Sequence, residues 1–159
     1  MLGLASQWMN LSGLHANSVA PILVSREQGR RKSTFCRSLM PDVLMRYYTD
    51  NLKLTSQGQA ERLLAEMGLL NMDEFDKYAE TKMPLLKNLM QMSTLNIRKA
   101  YQQSFRQLPR VASFIGTSNR FDLLTDPTGS RRFLCVEVKH NIDCTHIEHD
   151  QIFAQLKAE

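Results

Sequence analysis

No part of this 159-residue sequence approaches the roughly 20 consecutive apolar residues that a membrane-crossing helix needs. The N-terminus also lacks a charged segment followed by a long hydrophobic one. A membrane partner is therefore not expected, and the chain reads as soluble and cytoplasmic. Cysteine is scarce: Cys36, Cys135 and Cys144 are an odd number, widely spaced. They cannot all pair within the chain, which excludes a full disulfide framework and points to a reducing compartment. Acidic residues are missing altogether from Thr81 through Phe121, where Lys82, Lys87, Arg98, Lys99, Arg106, Arg110 and Arg120 all fall. A formal net charge of +4 decides little when spread evenly, but here much of it is gathered into one stretch. The length suits a single domain that buries about 70% of its unfolded surface, so a real core is expected.

Glycine is absent from two positions where it would have been informative. Pro21-Ile22-Leu23-Val24 reads as a buried strand, Ser25 to Arg31 as a polar turn, and Lys32-Ser33-Thr34-Phe35 as a helix start. Strand, loop and Lys-Ser in that order can cradle a phosphate, with loop N–H groups and a helix N-terminus facing the anion. Lysine adds a point charge there, and Ser33 would reach a magnesium ion. The pattern G-x-x-x-x-G-K-S/T, however, has Arg26 and Arg31 at both signature positions, and only Gly29 remains between them. A non-glycine residue at positive φ costs roughly 1 to 2 kcal/mol. Arg31 therefore predicts either a strained loop or one of another shape. A plain basic turn is the alternative.

Downstream, Ser56 and Gln59 have capping-box spacing, with Ala60, Leu63, Leu64 and Met67 on one face and Gly68 beyond the end. Leu69 to Met72 then reads as a short strand ending in Asp73-Glu74, where open α/β sheets present ligand-binding groups. Asp73 could order a magnesium ion and Glu74 polarise an attacking water, or the two could be a solvated pair. Short strands are also expected at Tyr47-Tyr48, and a helix capped by Thr81 carries Met83, Leu86 and Met90 on one face. Ile97 to Tyr101 and Phe105 to Leu108 flank a polar turn and suggest a hairpin. Its interleaved cations and rings, Arg98, Lys99, Tyr101 and Arg106, suit nucleic acid as well as they suit a solvated face. Val111 to Asn119 is a further strand ending in polar groups, and Asn119 could orient a water or a γ-phosphate. After the turn Asp126 to Gly129, Arg131 and Arg132 enter the strand Phe133 to Val138; they form a charged rim or a finger toward a neighbouring subunit. Cys144, His146 and His149, with His140 nearby, have the elements of a zinc site without a second cysteine pair.

Taken together, Gln28-Gly29 through Phe35, Asp73-Glu74, the Arg98 hairpin, Thr117-Ser118-Asn119 and Asp126-Pro127-Thr128-Gly129-Ser130-Arg131-Arg132-Phe133 resemble the virulence-associated protein E family. The resemblance implies an α/β P-loop NTPase fold of the AAA+ kind, a three-layer sandwich with a mainly parallel sheet and an inserted basic β-hairpin. It also implies relatedness to superfamily 3 helicases and service to a mobile genetic element. Carried over, Gln28, Gly29, Arg30, Arg31, Lys32, Ser33 and Thr34 would hold ATP, Ser33 and Asp73 would hold Mg2+, and Glu74 and Asn119 would act in hydrolysis. Arg131 or Arg132 would serve a neighbour in a homo-oligomeric ring, and single-stranded or forked DNA would meet Arg98, Lys99, Tyr101 and Arg106. A primase-like region or partner is implied as well. The expected organisation is an N-terminal helix and linker over 1–17, a core over 18–138 and a C-terminal helix over 139–159 that stops before a helical lid. The competing expectation is a degenerate, non-hydrolysing domain that binds DNA or a replication partner through its basic segment.

Overall fold

The computed structural model describes residues 1–9, 17–54, 56–78, 80–98, 104–122 and 130–158. Five strands form a parallel sheet in the order β2-β3-β6-β1-β7, made of Tyr48–Thr49, Leu69–Met72, Ser113–Ser118, Ala20–Val24 and Phe133–Glu137. A separate antiparallel pair, β4 (Thr94–Arg98) and β5 (Phe105–Pro109), is inserted before β6. The helices are α1 (Leu2–Trp8), α2 (Lys32–Ser38), α3 (Gln57–Glu66), α4 (Met83–Gln91) and α5 (His149–Ala158).

Alternation along the strands divides the core into two layers. Ala20, Ile22 and Val24 of β1, Leu70 and Met72 of β3 and Phe114 of β6 face Ala60 and Leu64 of α3, Leu86, Leu89 and Met90 of α4, and Leu95 of the hairpin. Leu23, Leu69 and Ile115 face the other way, onto Leu4 of α1, Cys36 of α2 and Met40 just after it. Trp8 and Phe153 stack at 5.8 Å between centroids, and the Trp8 indole donates to the Gly68 carbonyl at 3.0 Å. Trp8 is thus a packing anchor. Gly116 is the closest approach in the sheet: a Cβ there would lie 2.7 Å from Ile22 Cδ1 and 3.1 Å from the Met72 carbonyl. Glycine lets β6 sit between β1 and β3 without moving the tip of Ile22 or the Met72 carbonyl, and the ends of all three strands lie together.

Several local expectations shift. Tyr47 belongs to the 3-10 turns Asp42–Tyr47, and its carbonyl accepts from Gly68 N at 2.8 Å, so the strand begins only at Tyr48. Thr81 does not cap α4. The 3-10 turn Glu80–Lys82 runs straight into the helix, and Lys82 at the cap already has helical angles, φ −90° and ψ −16°. Side-chain capping needs an extended residue at that place. Ser56 is such a residue, and it accepts from Gln59 N at 3.4 Å as its spacing predicts. The hairpin begins at Thr94 and pairs through Arg98 and Phe105, earlier than its sequence suggests.

Candidate phosphate and acid site

Parallel strands all point their C-terminal ends one way, so β1, β3 and β6 deliver their following residues to one edge of the sheet. After β1 the chain turns through Gly29 at φ 78° and Arg31 at φ 60°, ψ 26° before entering α2 at Lys32. Arg31 thus takes the left-handed conformation that a glycine would have held without strain. Arg26 is not among the residues at positive φ. Its exposed guanidinium lies over the Phe121 ring at 5.6 Å instead, so no glycine is needed at that position. A second brace comes from the segment after β7: Ile142 N donates to the Arg30 carbonyl at 3.3 Å, and the Arg30 side chain bonds to Glu27 and Asn141.

Gln28 to Thr34, Asp73, Glu74, Thr117 and Asn119 line a cavity of about 280 Å³. Lys32, only 8% exposed, reaches across its floor: its Nζ donates to Ser25 Oγ at 2.6 Å and to Asn119 Oδ1 at 2.9 Å. Burial lowers its pKa, while the carboxylates of Asp73 and Asp76 oppose that fall. Ser33 Oγ donates to Asp73 Oδ1 at 2.6 Å. The bonds of Lys32 to Asn119 and of Ser33 to Asp73 bring together residues forty and more positions apart. Glu74 stands at the next turn with φ 50°, exposed, and its carboxylate pairs with Lys77 Nζ at 2.6 Å. The chain therefore breaks at the end of β3, and that break lets two adjacent acids face different surroundings.

The donors suit the groups the sequence implies. Ser33 and Asp73 offer the oxygen-only ligands that a hard divalent cation such as magnesium takes. Lys32 and the loop offer cationic and N–H donors for phosphate oxygens. Sequence reading missed Ser25, which shares the lysine, and Thr117, which is 3% exposed and bonds to Asp73. Ser25 reads as the start of a polar turn and Thr117 as a strand residue, because nothing in a linear pattern shows which charged group each hydroxyl meets.

Other candidates lie elsewhere. Arg131 is exposed and Arg132 half-buried, just before Phe133, which pairs with Ala20 at the N-terminal end of β1. The length of β7, about 13 Å, separates them from their own chain's cavity. Lys99 and Tyr101 lie outside the described residues, as does the turn Asp126 to Gly129. Arg98 closes β4 opposite Phe105, and Arg106 sits on β5, every residue of which is exposed. Arg110 leaves the basic face altogether. It is fully buried, with its guanidinium donating to the carbonyls of Ala112 at 3.0 Å and Asn17 at 2.8 Å, and burial lowers its pKa to about 10. Among the described residues no group of three or more His, Cys, Asp or Glu side chains could hold a metal ion. His149 Nε2 lies 2.8 Å from the Ser38 carbonyl, a structural contact. No described helix is long and apolar enough to cross a membrane.

The model of the virulence-associated protein E-like domain matches residues 12–159. Among solved structures, the chain is similar to the apo structure of the NrS-1 C terminal region, with 18% identity and a TM-score of 0.60 over 98% of this chain and 39% of that one. A second, A form apo structure of the same region gives 19% identity and a TM-score of 0.57, covering 98% of this chain and 38% of that one. The chain thus spans about two fifths of the length of these structures, and the likeness is one of fold. No curated protein matches the sequence.

Proposed function

The chain belongs to the virulence-associated protein E-like domain family, and from that premise we propose that it binds and hydrolyses ATP as a helicase-like domain acting on DNA in the replication of a mobile genetic element. The observation that carries the reading is the convergence of Lys32, Ser33, Asp73 and Asn119 around one cavity, through bonds of 2.6 to 2.9 Å. A βα turn, an acidic strand end and an asparagine strand end meet in the way that phosphoryl transfer requires.

In this reading the triphosphate lies against Gln28, Gly29, Arg30, Arg31 and Thr34, and Lys32 exchanges part of its contact with Ser25 and Asn119 for phosphate oxygens. Ser33 and Asp73 hold the magnesium ion, which when bound offsets charge on the β- and γ-phosphates. Glu74, released from Lys77, takes a proton from water as the water oxygen attacks the γ-phosphorus and the bond to the β-phosphate oxygen breaks. Asn119 orients that water. Arg131 or Arg132 cannot reach their own cavity along β7, so the finger acts on a neighbour's site in a ring. Single-stranded or forked DNA meets the hairpin through Arg98, Lys99, Tyr101 and Arg106, and a primase-like region or partner supplies the adjoining step of replication.

Equilibrium binding of magnesium-ATP to the wild-type chain beside Lys32→Ala tests the reading. Measurable binding by the wild type and a loss of at least about 100-fold in the variant, some 2.7 kcal/mol, is expected. A wild-type chain that binds no nucleotide, or a variant that binds equally, overturns it.

A further inference from the structure

We propose that Thr117 is the positioning residue of the acid pair, setting both the metal-facing carboxylate of Asp73 and the turn that presents Glu74; the inference rests on the nucleotide reading above. Thr117 is the last residue but one of β6, next to Gly116 where β6 runs beside β3, and it is 3% exposed. Its hydroxyl makes two bonds with opposite roles. It donates to Asp73 Oδ1 at 2.6 Å and accepts from Glu74 N at 3.2 Å.

Each bond acts on a different part of the site. Asp73 Oδ1 already accepts from Ser33, so the Thr117 bond fixes the carboxylate from the sheet side and leaves Oδ2 without a described hydrogen bond. A carboxylate held at two donors cannot rotate freely, and the hydroxyls that hold a metal-binding carboxylate commonly set its affinity. The second bond satisfies the N–H of Glu74, a residue at φ 50° that no glycine relieves. Without an acceptor, that N–H would have to find water, and the strained turn would lose the partner that holds it. One hydroxyl therefore links the magnesium-side acid to the water-side acid.

The test is the magnesium dependence of ATP binding by the whole chain, measured with and without excess magnesium for wild type, Thr117→Val and Thr117→Ser. Valine keeps the shape and removes the hydroxyl, whereas serine keeps the hydroxyl. The expected result is a fall of about 10-fold in the affinity gain from magnesium for Thr117→Val. Thr117→Ser should retain the wild-type gain. If Thr117→Val lacks the wild-type melting transition, Thr117→Ala takes its place with the same expectations. A wild type that binds magnesium-ATP while the hydroxyl-free variant keeps the full magnesium gain overturns the role of Thr117 alone. A folded Thr117→Ser that loses the gain as valine does also overturns it, since the hydroxyl would then not be the agent. Absence of ATP binding by the wild type removes the nucleotide reading and this inference together.

Discussion

The corner around Lys32 and Asp73 and the hairpin of β4 and β5 hold their polar side chains in different ways. In the corner, Lys32 is 8% exposed and has two hydrogen-bond partners, and Asp73 receives two hydroxyls at 2.6 Å. Asp73 and Thr117 come from the ends of parallel strands whose residues are buried, and Lys32 and Ser33 open the helix that follows β1. On the hairpin, all five residues of β5 are exposed, Phe105 at 64%, and Leu95 and Ile97 of β4 tie the pair to the main core. The corner is built to act by geometry, where moving one atom changes the outcome. The hairpin offers charge and aromatic surface, whose effects add up gradually and are screened by salt.

The largest expected effect tests the geometric side. Glu74→Gln keeps the size of the side chain and its bond to Thr117 through the backbone, but removes the group that accepts the proton. DNA-stimulated ATP hydrolysis should fall by about 10³-fold, with magnesium-ATP binding within about twofold of wild type. A steady-state rate near that of the wild type would take Glu74 out of its role and break the contrast, since the corner would then tolerate a changed atom.

A smaller effect concerns the strain within the corner. Arg31 at φ 60° costs roughly 1 to 2 kcal/mol relative to glycine. Glycine in turn frees the unfolded chain by about 0.4 to 1 kcal/mol. Arg31→Gly should therefore stabilise the fold by a net of about 0.5 to 1 kcal/mol, read as a rise of a few degrees in Tm. Equal or lower stability would mean that the guanidinium contributes more through its surroundings than its backbone costs.

How much of this was legible follows from the same division. The strand, loop and Lys-Ser order, the Ser56 cap and the acidic end of β3 are written in local sequence, because each depends on neighbours in the chain. That Arg31 would adopt the strained conformation was legible only as one of two alternatives. The bonds of Ser25 and Thr117 were illegible, since a hydroxyl in a turn or a strand looks the same whether or not it meets a charged group. Arg110 misled in the opposite direction. It continues a run of basic residues, yet one residue past β5 the chain dives into the core, where Asn17 and Ala112 supply carbonyls and the Phe114 ring lies 5.6 Å away.

The smallest effect is expected on the hairpin itself, and its form matters more than its size. Arg106 lies on an exposed strand opposite Ile97, with exposed Phe105 and Gln107 beside it. A cation presented in this way meets a phosphate without a fixed geometry, and its contribution is the release of the counterion that the phosphate had held. Arg106→Ala should therefore weaken single-stranded DNA binding by a similar factor for every sequence. It should also reduce the slope of log affinity against log salt by about 0.7, the value for one phosphate contact on a single strand. Binding titrations at several salt concentrations measure both. A loss confined to particular sequences with an unchanged slope would place Arg106 against a base instead. The hairpin would then act by geometry, as the corner does, and the difference between the two regions would disappear.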